Sequence, residues 1–91
     1  MVEQIDKLNN LESRKKGLLD TIYRYSLNEL DAQRERAIMR ISLIDWNLDP
    51  EEWELYESML EIIEKDLTDV KVELEKLRIE LELVDFELDK L

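Results

Sequence analysis

The chain of 91 residues contains no cysteine and no histidine, and only one glycine and one proline. Without cysteine there is no disulfide, no thiolate metal site and no cysteine nucleophile. Without histidine the commonest general base and the commonest metal ligand are both missing. Scarcity of glycine and proline removes the usual chain punctuators. Apolar runs never exceed three residues, so no membrane-spanning helix is expected. The start, MVEQIDKLNN, has no basic region followed by an apolar one, so it does not read as a secretory signal. A cytoplasmic location is the expectation.

What the chain has in abundance is charge. Charged residues make up 41% and apolar ones 44%, a balance typical of long helices and coiled coils. The net charge of −11 is unevenly placed. Residues 1–48 carry eight acidic and eight basic side chains, whereas residues 49–91 carry sixteen acidic and five basic. An acidic second half repels nucleic acid and anionic membrane surfaces and would attract a basic partner protein.

The segment DPEEW at 49–53 carries a complete helix start. Asp49 is a preferred N-cap, Pro50 suits the first helical position, and Glu51 and Glu52 sit well at the positive end of the helix dipole. From there Trp53, Tyr56, Leu60, Ile63, Leu67, Val70, Leu74, Leu77, Leu81, Val84, Leu88 and Leu91 recur in alternating steps of three and four. No polar residue interrupts this heptad seam, which predicts a helix over about 50–91. A second apolar set lies off the seam. Leu55, Met59 and Ile62 form a short stripe beside it, and Val72, Ile79, Leu83 and Phe86 lie roughly opposite. A helix apolar on two faces is expected to pack against two neighbours.

The first half reads as helix over about 2–46, less cleanly. Its apolar stripe runs through Val2, Ile5, Leu8 and Leu11, then Leu18, Leu19, Ile22, Tyr23, Leu27 and Leu30. Ala37, Ile38, Ile41, Ile44 and Leu48 lead it to the connection, and Met39, Leu43 and Trp46 widen it. Ser26-Leu27-Asn28-Glu29 has the form of a capping box, and a break near residues 24–27 would give three helices in all. Helix-forming composition without proline favours one helix to a turn at 47–49. Gly17 alone does not end a helix.

A short connection makes antiparallel neighbours. The fold class expected is therefore all-α: a single domain, 1–91, folded as a long antiparallel, coiled-coil-like helical hairpin that associates into a helical bundle. Counting outward from the turn places Arg40 near Glu57 and Glu61, Arg34 and Arg36 near Glu61 and Glu64, Arg24 near Glu73 or Glu75, and Lys15 and Lys16 near Glu80 and Glu82. A lone hairpin of this size gains little beyond its ordering entropy, and two hairpins make a four-helix bundle. The surface expected to serve a second copy or a partner comprises Trp53, Tyr56, Leu60, Ile63, Leu67, Val70 and Leu74. It continues through Leu77, Ile79, Leu81, Leu83, Val84, Phe86 and Leu88.

Candidate chemistry is thin. Glu51/Glu52, Glu80/Glu82 and Asp85/Glu87 are paired carboxylates, but pairs on solvated helix faces are ordinary charged surface. A carboxylate-bridged dimetal site in a bundle requires Glu-x-x-His, and no calcium loop or glycine-rich phosphate loop is present. No catalytic residue, cofactor or metal ligand is assigned, and no enzyme activity is expected. Arg14-Lys15-Lys16 is short and lacks interleaved aromatics, so it reads as a helix face paired with glutamate rather than a nucleic-acid site. Trp46 and Trp53 bracket the turn and read as an aromatic plug at the bundle end. The function expected is a self-associating scaffold, adaptor or small regulator, most simply a dimer of hairpins. The alternative is an acidic helical inhibitor or chaperone that occupies a basic, nucleic-acid-binding surface of another protein.

Overall fold

A computed structural model of the chain describes residues 2–44 and 47–91. It is all-α. Helix α1 spans Val2–Leu43 and helix α2 spans Pro50–Asp89, and the two form an antiparallel helical hairpin. α1 is one unbroken helix, so the capping box at Ser26 does not start a new one. Helix-forming residues on both sides of Ser26 outweigh one local capping pattern. The helix passes through Gly17 as well, where the Thr21 hydroxyl donates to the Gly17 carbonyl oxygen at 2.9 Å.

α2 opens as its sequence prescribes. The Asp49 Oδ1 accepts the Glu52 backbone N–H at 2.8 Å, and the Trp53 N–H reaches the Asp49 carbonyl at 3.0 Å. One of the free donors of the first turn is thereby satisfied by the cap. α1 closes at Leu43, earlier than the expected residue 46. There Ile44 N–H donates to the Ile41 carbonyl at 3.1 Å, a three-residue closure that tightens the last turn. Asp45 and Trp46 lie outside the described residues, and with Trp46 the proposed aromatic plug does too.

Contacts divide the chain into two compact units. In the unit that joins the chain up to Ser26 with Glu73–Leu91, Leu11, Leu18 and Val84 form a buried cluster, with Leu77, Leu81 and Leu88 packed against it. Leu74, also in this unit, is 2% exposed. In the unit Leu27–Val72, Ile63 and Leu67 are buried, and Tyr56, Leu60 and Val70 are half-buried. Every seam position of α2 from Tyr56 to Leu88 is thus buried or half-buried.

α1 behaves differently from its expected stripe. Flanked by half-buried Thr21, Ser26, Gln33 and Ser42, its covered positions include Leu11, Lys15, Leu18, Ile22, Tyr25, Glu29, Ala32, Arg36, Met39 and Leu43. They repeat in steps of four and three, matching the α2 seam. The helix therefore turns a face containing Lys15, Glu29 and Arg36 towards α2 and leaves Leu19, Tyr23, Leu27, Leu30, Ile38 and Ile41 exposed. Long charged side chains can cover apolar surface with their stems while the heads stay wet, which makes such a face usable.

Candidate interaction surface

Among the described residues, two ion pairs join the helices. Lys15 Nζ lies 2.7 Å from Asp85 Oδ1, and Arg40 Nη2 lies 3.4 Å from Glu64 Oε1. Both acidic partners sit further from the connection than a count from the turn places them. In the Leu27–Val72 unit the Arg40–Glu64 pair sets the last turn of α1 beside the fourth turn of α2. The first residues of α2, Pro50 to Leu55, are accordingly exposed. The count assumed that the chain reverses within three residues, whereas α1 closes at Leu43 and α2 opens at Pro50. Arg24 pairs within its own helix, with Asp20 at 3.0 Å, and Lys76 does the same with Glu73 at 3.6 Å.

The Asp85 carboxylate raises the pKa of Lys15 above the ordinary 10.5, first by accepting its hydrogen bond and then by its opposite charge. Partial desolvation pulls the other way, and Asp89 adds a smaller upward push.

The expected interface residues fall into two groups. Tyr56, Leu60, Ile63, Leu67, Val70, Leu74, Leu77, Leu81, Val84 and Leu88 are taken up by packing inside the hairpin. Trp53, Ile79, Leu83 and Phe86 stay exposed, as do Leu55, Met59, Ile62 and Val72. Ile79, Glu82, Leu83 and Phe86 line a shallow groove of about 440 Å³, beside which Lys90 Nζ lies 4.4 Å from the Phe86 ring centre. Gln4, Ile5, Leu8 and Leu91 line another of about 280 Å³.

The surface that sequence reasoning missed is the outer face of α1. Leu27, Leu30, Ile38 and Ile41 belong to its apolar stripe by sequence, and in the hairpin they are 44%, 59%, 47% and 70% exposed. The signal that locates them is the strict three-four alternation of α2. Carried onto α1, it selects Leu11 to Leu43 and leaves these four on the far side.

None of the paired carboxylates is enclosed; five of the six are exposed and Asp85 is half-buried. Among the described residues no three acidic side chains converge to hold a metal ion. No described helix is long and apolar enough to cross a membrane. The fold defines a class, the antiparallel helical hairpin with apolar outer faces. Beyond that class, no family model matches the chain, and neither a curated protein nor a solved structure matches it.

Proposed function

We propose that the protein is a non-enzymatic, cytoplasmic scaffold, adaptor or small regulator that works by self-association of its helical hairpin. One observation carries this reading. Among the described residues, nineteen large hydrophobic side chains are exposed and only six hydrophobic residues are buried. Monomeric proteins seldom leave so much apolar surface in contiguous stripes, and such patches mark interaction sites. The stripes follow helical spacing on both helices, as docking faces for further helices do. Light scattering on a sizing column tests the reading. The expected mass is at least twice the 11.0 kDa of one chain, with high helicity at tens of micromolar. A monomer at that concentration, helical or not, overturns it.

A second reading rests on the charge of α2. Of its fifteen acidic residues, only Glu64, Glu73 and Asp85 enter ion pairs among the described residues. An acidic rod of this kind suits a basic groove, such as a nucleic-acid-binding surface of another protein. Binding of that sort weakens steeply as salt rises. Capture of a basic protein that is insensitive to salt would speak against it.

A further inference from the structure

Resting on the self-association reading, we propose that the second copy docks on the outer face of α1, antiparallel, with Arg34 at the two-fold axis. The stripe concerned is Leu27, Leu30, Arg34, Ile38 and Ile41, all within the Leu27–Val72 unit and all exposed. At about 100° per residue these five side chains fall within an arc of about 80°. The inward positions Glu29, Ala32, Arg36 and Met39 occupy the opposite side of the helix.

The stripe is a palindrome about Arg34. Leu30 and Ile38 stand four residues to either side of it, and Leu27 and Ile41 seven to either side. In an isologous interface each contact occurs twice with the roles exchanged, so a stripe symmetric about one residue sets apolar positions against apolar ones throughout. Two antiparallel α1 helices related by a two-fold axis at Arg34 bring Leu27 against Ile41 of the partner subunit. The same operation brings Leu30 against Ile38 of the partner subunit. No apolar residue of the stripe then faces a polar one.

Charge selects the same helix. Between Leu27 and Leu43, α1 carries Glu29, Asp31 and Glu35 against Arg34, Arg36 and Arg40, and is neutral. α2 carries fifteen acidic and four basic residues, so setting two α2 helices side by side brings like charges together. Pairing α1 with α1 puts the neutral helices at the centre and the acidic ones outside. The two Arg34 side chains repel at the axis, and Asp31, one turn away, is the nearest acid able to offset them. Arg34 therefore fixes alignment at a cost in affinity, as a polar residue does in an otherwise apolar helix seam.

The absence of cysteine makes the test direct. Arg34→Cys, Met59→Cys and Ile79→Cys variants, each checked for unchanged helicity, are exposed to mild oxidation or a short bifunctional thiol reagent. Arg34→Cys is expected to be captured mostly as a covalent dimer, while the other two remain single chains. Arg34→Leu, without cross-linking, is expected to tighten association several-fold. An oligomer in which Arg34→Cys stays free, or in which Met59→Cys or Ile79→Cys is captured instead, overturns this docking and leaves self-association standing. A monomeric parent chain at tens of micromolar overturns both.

Discussion

Gly17 lies in the interior of α1, and apart from its own chain neighbours and the backbone of the adjoining helix turns nothing lies within 4 Å of where a Cβ would stand. Its backbone φ is not positive, so an alanine meets neither a clash nor a strained conformation. Glycine in a helix interior costs about 1 kcal/mol relative to alanine, because it has more backbone freedom to lose. Gly17→Ala is therefore expected to raise stability by roughly that amount, read as a higher urea or thermal midpoint. Leu74 is the opposite case. It is 2% exposed, and Leu74→Ala removes buried methyl groups and leaves a void, at a cost of about 2–5 kcal/mol in typical cores. A loss under about 0.5 kcal/mol, the usual range for a surface site, would show that the seam is not a packed core.

At the scale of the helices, α2 was legible almost residue by residue. Its cap is a local pattern, and its seam has no polar interruption, so one periodicity fits. Asp49→Ala removes the acceptor of the Glu52 N–H and is expected to cost about 1 kcal/mol, seen in a melt together with fraying of the first turn by hydrogen exchange. α1 was legible as a helix but not as a surface. Its apolar residues outnumber the positions one neighbour can cover, and the face turned to α2 carries Lys15, Glu29 and Arg36. Hydrophobicity alone therefore names the apolar residues of α1 but not which of them face α2. What decides is the match to the α2 seam and the fit of opposite charges, seen at Lys15–Asp85. That pair has a pH signature. Because Asp85 raises the folded-state pKa of Lys15 above 10.5, its contribution is complete below the unfolded value. It is lost as pH rises through the folded one. Lys15→Met should abolish the part of the alkaline destabilisation above pH 10.5 that belongs to this pair. An unchanged alkaline limb would show that the contact contributes nothing in solution.

At the scale of the molecule, stability and assembly are linked. Among the described residues six hydrophobic ones are buried, few for a helical hairpin, and a single hairpin gains little beyond its own ordering entropy. If the outer faces dock on a second copy, the folded state is favoured by mass action, and the thermal midpoint must climb with protein concentration. Salt gives a second handle whose sign separates the two functional readings. Each copy brings a net charge of −11, so self-association gathers like charge and is opposed at low ionic strength. Screening shortens the reach of that repulsion to about 8 Å at physiological salt. Added salt should therefore shift the mass distribution towards the oligomer and raise the midpoint together. Docking of the acidic helix on a basic protein responds in the opposite sense, since there the charges attract. A midpoint that stays fixed over a hundredfold range of concentration would show that the hairpin is stable by itself. Its exposed apolar faces would then belong to a partner other than itself.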